Sequence, residues 1–369
     1  MKITHVISDT NVGGAGVLLY NLLSSTKDFC EVNVVVPKGS AISESLAKAG
    51  ATVTELPIHK DKSFFPGDVG KFYSYFKKNP SDIVHTHASL SSRLGAALCG
   101  TKICISTRHC ALPNGQVKKK TRAQIKVYNF CTSITVSTAD CATANLVAEG
   151  IDKSRIITIK NGVPERKKLD TGVGISLKRS LNIPDDARIV GCCARLETVK
   201  GQDLILRAAR DVVRLIPKVF FLFVGDGGAR LYLERLCARL GISQRVRFVG
   251  FVADPEPYQN LFRINVNASR GTETSCLATS ECMSLGIPTV ASDFGGNKEM
   301  IIDGINGLIF KSDNHFSLEE KLLTLLADTE LYQKLSQGAR KTYECCFSVD
   351  RMANEYKKLY TSLYHAAHT

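Results

Sequence analysis

The chain alternates, twice over, between short β-branched apolar runs and longer stretches of helical periodicity, and this constrains the fold more than any single motif. Runs at 2–8, 31–36, 52–56, 82–85, 102–106, 133–136 and 155–159 read as strands. Helical patterns at 17–23, 69–78, 92–99 and 139–149 separate them. The pattern breaks between Lys160 and Asp170, then resumes with strands at 188–194, 219–224, 246–250, 264–268 and 288–291. Helical stretches at 203–215, 230–240, 318–326 and 331–343 accompany this second series. A strand followed by a crossover helix favours a parallel sheet covered on both faces. The expectation is an α/β protein of two Rossmann-like domains facing a central cleft, residues 1–165 and 166–348. An amphipathic run at 349–369 would pack back on the first domain. With 369 residues, each domain has enough chain for its own core.

Composition narrows the class. Apolar residues make up 44% and charged residues 22%, as in a soluble globular chain, and no apolar run reaches 18 residues. The N-terminus MKITHVIS reads as a strand rather than a secretory leader. Thirteen scattered cysteines without a C-x-x-C pair fit reduced, mostly buried thiols and a cytoplasmic location. The net charge of +13 is uneven: residues 1–168 hold 23 Lys and Arg against 12 Asp and Glu. No acidic residue lies between Asp82 and Asp140, while Lys118, Lys119, Lys120 and Arg122 fall inside that interval. Such a field attracts anionic lipid, nucleic acid or a diphosphate-bearing substrate. Residues 115–130 can place Val117, Ile125, Val127 and Tyr128 on part of one helix surface, compatible with an anionic membrane surface or an ordinary exposed helix.

Several strand ends carry polar chemistry. After the first strand, Asp9 to Gly16 forms a Gly-rich turn, but Gly13, Gly14 and Gly16 are too close together for a dinucleotide fingerprint. The turn suits a backbone approaching a phosphate or sugar, or simply a tight βα connection. His85, His87 and His109 sit at two later strand ends, where a ligand of a parallel sheet gathers. An H-x-H pair could offer two metal ligands, but no third is evident nearby, so no metal is expected. Arg195 and Lys200 stand between a strand and a helix, a placement that suits a diphosphate. In 270–300, Glu273 lies in a polar loop and Glu281 in the helix-like run after it. The unpaired amides of a helix start suit a phosphate. A carboxylate beside them would repel the phosphate but accept hydrogen bonds from sugar or ribose hydroxyls.

In this order and spacing, the motifs resemble the retaining glycosyltransferases of family 4, which have the two-domain GT-B fold. The resemblance covers nearly the whole chain. It rests on Gly13 and Gly14, the strand-end histidines, Asn161 with Gly162, Arg195 with Lys200, and Gly225 in 224–227. It continues through 246–250, the Glu273 and Glu281 pair, Gly295, Gly296 and Glu299. It implies that Glu281 holds the ribose of the donor nucleotide and that Glu273 approaches the transferred sugar. Arg195 and Lys200 would neutralise the diphosphate, helped by the amides of Ser275, Cys276 and Leu277. Gly14 matches a glycine near the donor phosphate and acceptor, Gly225 falls among the donor-binding positions, and the stretch 248–252, with Phe248 and Val249, resembles the loop beside the base. His109 matches a sugar-contacting histidine, with His87 and Gly13 on the acceptor side. Two features depart from the family: Thr274, Ser275 and Cys276 replace a Gly-rich loop, and Asn297 with Lys298 replaces a residue–Pro pair before Glu299.

The implied activity is transfer of a hexose or N-acetylhexosamine from a nucleotide sugar, a UDP-sugar by expectation, to a lipid-linked or cell-envelope saccharide. The enzyme would be peripheral on the inner face of the cell membrane, need no cofactor and bind no nucleic acid. The chain has no Asp-x-Asp, so metal-independent catalysis is expected. A GT-B epimerase or phosphorylase, or a non-catalytic GT-B subunit, remains an alternative.

Overall fold

A computed structural model describes residues 1–8, 13–113 and 115–368. The chain divides into two compact units: Met1–Pro164 with Phe347–Thr369, and Glu165–Cys346.

The first unit is built on seven parallel strands: β1 (Lys2–Ile7), β2 (Glu31–Pro37), β3 (Thr52–Leu56), β4 (Ile83–His87), β5 (Ile103–Arg108), β6 (Ile134–Ser137) and β7 (Ile156–Thr158). Their spatial order is β3-β2-β1-β4-β5-β6-β7. Val34, Val35, Val36, Ile83 and Val84 are fully buried, as strands covered on both faces require. Strand order reverses between β1 and β4, which register His5 against His85 and Ile7 against His87. A crevice at such a switch point is where open α/β sheets bind ligands. The terminal helix Val349–His368 belongs to this unit and packs Tyr356 and Tyr360 against the His85 ring, at 5.7 and 5.9 Å between centroids.

The second unit repeats the plan with β8 (Arg188–Cys193), β9 (Val219–Val224), β10 (Val246–Gly250), β11 (Phe262–Asn267), β12 (Thr289–Ser292) and β13 (Gly307–Phe310). The order is β10-β9-β8-β11-β12-β13, all parallel. On one face, Phe221, Phe223, Ile205 and Leu322 form a continuous core; on the other, Phe220, Leu222 and Phe262 do so. The switch point lies between β8 and β11.

Some elements differ from the sequence reading. Helices at Ser43–Lys48 and Thr171–Ser180, and strand β13, lie where no element is expected. The helix anticipated within 115–130 spans only Arg122–Phe130, because the Thr121 and Gln124 side chains close a capping box at its start. Lys118, Lys119 and Lys120 therefore precede that helix rather than belong to it. Within the Gly-rich turn, Asp9 to Val12 lie outside the described residues; Gly13 caps the helix Gly14–Thr26.

Candidate active site

In the second unit, the segment after β11 brings several of the expected donor residues together. Glu273 is 6% exposed. Its Oε2 accepts from Lys200 Nζ at 2.9 Å and from Ser269 Oγ at 2.6 Å. Lys200 arrives from the 3-10 turn Thr198–Lys200 after β8, whose end Gly201 is left-handed and packed against β11. A Cβ at Gly201 would stand 2.1 Å from the Ala268 carbonyl oxygen, so glycine is required there. Burial pulls the Lys200 ammonium down, but Glu273 more than offsets it and the net shift is upward. Lys200 is thus a charged ammonium held at low exposure, a strong electrostatic group.

The loop that bears Glu273 is braced from behind. Gly296 N donates to Glu273 O at 3.2 Å, and a Cβ on Gly296 would fall 1.7 Å from Thr274 O. Gly295 and Gly296 therefore have a structural reason within the chain, close approach to the loop backbone. Buried Asn297 joins the bracing: it accepts from Asn267 Nδ2 at 2.9 Å and donates to Ser292 Oγ at 2.9 Å. Asn297, a departure from the family pattern, is thus an internal tie between the ends of β11 and β12.

Glu281 lies in the helix Leu277–Ser284 and is 5% exposed. Its Oε1 accepts from Arg166 Nη2 and its Oε2 from Gln259 Nε2, both at 2.6 Å. Arg166 also meets Glu256 at 3.2 Å. Neither Arg166 nor Gln259 stands out in the sequence. Arg166 sits in a charged run 115 positions from its partner, and no local pattern connects them.

Cys192, Cys193, Lys200, Asn267, Glu273 and Cys276 line one small cleft at the β8–β11 switch point. Burial raises the thiols of Cys192 to about 12 and Cys276 to about 11, the latter helped by the charge of Glu273. They remain protonated near neutrality and serve as apolar lining rather than nucleophiles.

Other expected donor residues fall around this cleft in different ways. Arg195 is exposed and pairs with Glu197 at 2.7 Å, though its charge acts on Lys200. The Cys276 amide donates to Met300 Sδ at 3.2 Å, a weak acceptor that a phosphate oxygen could replace. Ser275 is buried in the same loop, and Leu277 opens the helix. Gly225, at φ +129°, lies with its Cβ direction 2.2 Å from Ala194 O, again a close internal approach. Phe248 stacks on Phe223 at 5.0 Å, and Val249 packs against the opposite core, so both side chains are already occupied. Phe251, just past β10, is 66% exposed.

In the first unit, the histidines converge. His87 bonds His5 at 3.3 Å and His109 at 2.9 Å. His85 bonds Tyr360 OH at 2.7 Å and Thr107 Oγ1 at 2.6 Å. The expectation that H-x-H has no third nitrogen nearby is corrected: His5, on β1, brings one within 4.8 Å of the other two. Strand pairing supplies it across a separation of 80 positions, and the sequence has no local sign of it. His85 nevertheless spends both nitrogens on hydroxyls, so the cluster is satisfied by hydrogen bonds.

Of the basic residues, Lys118 and Lys119 are exposed, but Lys120 pairs with buried Glu149 at 3.0 Å, beside Arg108 at 2.7 Å.

Two family models cover most of the chain: glycosyltransferase family 4 over residues 12–167 and glycosyl transferases group 1 over residues 175–342. The chain belongs to the group 1 glycosyltransferases. It is 26% identical to D-inositol 3-phosphate glycosyltransferase 1 of Catenulispora acidiphila, over 91% of this chain and 88% of that protein. It is 23% identical to N-acetyl-alpha-D-glucosaminyl L-malate synthase of Bacillus anthracis, over 87% and 92% respectively. Anabaena Alr3699/HepE, solved with UDP and glucose, superposes with a TM-score of 0.84 at 20% identity, covering 98% of this chain and 100% of that one. The fold is GT-B, and the chain is a glycosyltransferase.

Proposed function

We propose that this glycosyltransferase moves a hexose or N-acetylhexosamine from a UDP-sugar, with retention, to a lipid-linked or cell-envelope saccharide. The observation that carries the reading is the fixed pair of carboxylates in one βα segment: Glu281 clamped by Arg166 and Gln259, and Glu273 clamped by Lys200 and Ser269. Glu281 accepts the ribose hydroxyls, in line with a relative fold solved with UDP and glucose. Lys200 and Arg195 oppose the charge that grows on the diphosphate as the glycosidic bond breaks. The amides of Ser275, Cys276 and Leu277 add to that at the helix start.

Glu273 already accepts two hydrogen bonds on one oxygen, which suits a group that orients a sugar and its lysine better than a free nucleophile. The two carboxylates are therefore not an acid and nucleophile pair of the glycosidase kind. The leaving phosphate takes the acceptor proton on the front face, and no metal or cofactor is required. Gly14 supports substrate approach in the first unit: a Cβ there would meet nothing within 4 Å, so packing within the described chain does not demand glycine. We assign Gly13 and His87 to the acceptor side, His109 to the transferred sugar, and the basic first unit to an anionic membrane surface. Among the described residues no helix is long and apolar enough to cross a membrane.

The test is a panel of UDP-, GDP- and ADP-sugars, scored for binding and for slow hydrolysis in the absence of acceptor. Turnover confined to UDP-sugars supports the proposal; turnover only with another base overturns the donor assignment. Donor binding without hydrolysis or transfer would favour a non-catalytic subunit, and free epimer release an epimerase.

A further inference from the structure

Among the described residues, five other than glycine have a left-handed backbone: Asp61, Ala88, Asn182, Thr272 and Asp313. Three are Asp or Asn, whose short polar side chains tolerate that region, and alanine is small. Thr272, at φ +55°, is the β-branched one, and for such a residue the conformation is a strained outlier. It is exposed, and its hydroxyl makes no hydrogen bond among the described residues, so no local contact offsets the strain. It directly precedes Glu273.

A strained backbone persists only where its surroundings over-determine it, and both flanks of Thr272 are pinned. Upstream, Arg270 N donates to Val199 O at 2.8 Å, Ser269 N to Asn267 Oδ1 at 3.1 Å, and Ser292 Oγ to Ser269 O at 2.6 Å. Downstream, Gly296 N holds Glu273 O at 3.2 Å, while Lys200 Nζ and Ser269 Oγ hold the carboxylate at 2.9 and 2.6 Å. Of these ties, Lys200 to Glu273 is the one that joins two donor-site residues, with side chains 20% and 7% exposed. A diphosphate beside that pair attracts the ammonium and repels the carboxylate.

We propose that Thr272 is a positioning residue that loads the Glu273 loop. In the empty site the bonds of Lys200 and Ser269 hold it left-handed; a bound diphosphate draws Lys200, repels Glu273, and lets the loop relax as the carboxylate turns to the sugar. This rests on the donor-site reading of Lys200 and Glu273. Strain present only in the empty form is released on binding. Its removal should therefore stabilise the empty chain and weaken the donor by the same factor.

The test compares Thr272→Asn, Thr272→Gly and Thr272→Val in the full chain, by thermal unfolding of the empty protein and by calorimetric titration with UDP. Asparagine and glycine accept this φ and lift the strain, whereas valine keeps the β-branch and loses only the hydroxyl. Thr272→Asn should raise the melting temperature by about 2–4 °C and weaken UDP roughly tenfold. Thr272→Gly should weaken UDP alike, with a smaller thermal gain, because glycine also loosens the unfolded chain. Thr272→Val should bind UDP as the wild type does. Asn182→Gly, at a left-handed position after the helix Thr171–Ser180, should leave UDP affinity unchanged.

A threonine with a merely structural role would lose stability and affinity together on substitution, and that result would overturn the proposal. Equal weakening in Thr272→Val and Thr272→Asn would make the hydroxyl a ligand contact and overturn it as well. UDP bound equally by the wild type, Thr272→Asn and Thr272→Gly would remove the coupling and leave the donor site standing. UDP that fails to bind the wild-type chain would remove the donor site, and the coupling with it.

Discussion

Arg166 donates to Glu281 Oε1 at 2.6 Å, so the carboxylate assigned to the donor ribose is held by the second residue of its unit. Gln259 secures the other oxygen. With side chains 16% and 7% exposed, the ion pair is largely out of water. Removing one partner should cost far more than an exposed salt bridge would. Arg166→Met is expected to destabilise the second unit by about 3–5 kcal/mol, read by urea unfolding. The double variant Arg166→Met with Glu281→Leu should regain much of that stability, since it leaves no lone buried charge. A loss below ~1 kcal/mol for the single variant would mean that the pair is solvated in solution.

Gly296 tests the bracing of the Glu273 loop. A methyl group there meets Thr274 O at 1.7 Å, which backbone movement must relieve. Gly296→Ala should cost about 1–3 kcal/mol of stability and weaken donor binding by displacing Glu273. Gly228, whose Cβ would meet nothing within 4 Å, supplies the control: Gly228→Ala should leave both nearly unchanged. Equal effects at the two positions would remove the argument.

The buried imidazoles give the first unit an acid weakness. Burial lowers His5 to about 3, and His85 and His87 well below the unfolded value of 6.5. The unfolded chain therefore binds more protons below pH 6.5, and stability falls as pH drops. Each ring contributes a slope of about 1.4 kcal/mol per pH unit below that point, and the contribution is intact above it. Denaturation from pH 7.5 to 4.5 should show that loss, and His5→Phe should reduce its slope by about one proton. A flat profile down to pH 5 would contradict the burial of these rings.

For the membrane assignment, the ion pairing separates residues that the sequence presents as equivalent. Lys118 and Lys119 are exposed, whereas Lys120 is tied to Glu149. Lys118→Glu with Lys119→Glu should weaken binding to anionic vesicles several-fold at low salt and leave stability unchanged. Lys120→Glu should instead lower stability, by placing two carboxylates together. Val127 and Phe130, 43% and 61% exposed on the adjacent helix, are available to insert. Vesicle binding unchanged by the double reversal would remove this segment from the assignment.

Most of the fold was legible because strand and helix periods alternate cleanly. Glu273, Glu281, Lys200 and the histidines were legible because they mark strand ends and helix starts. What escaped depends on pairing at long range. His5 lies in an ordinary-looking strand and acquires meaning only when β1 meets β4. Arg166 and Gln259 occupy unremarkable local surroundings, and only tertiary packing turns them onto Glu281. The helix Thr171–Ser180 contains Gly172 and Gly174 and buries no residue fully, so neither propensity nor an apolar face announces it. Gly225, Gly295 and Gly296 have packing demands of their own, which a motif cannot distinguish from contact with a ligand.

The central claim is that Glu281 and Lys200 hold a uridine diphosphate donor, and titration calorimetry of UDP into the wild-type chain, Glu281→Ala and Lys200→Ala tests it most directly. The account predicts a single site in the wild type, with affinity reduced at least tenfold in each variant while thermal unfolding confirms that both remain folded. Unchanged UDP affinity in both folded variants would contradict it.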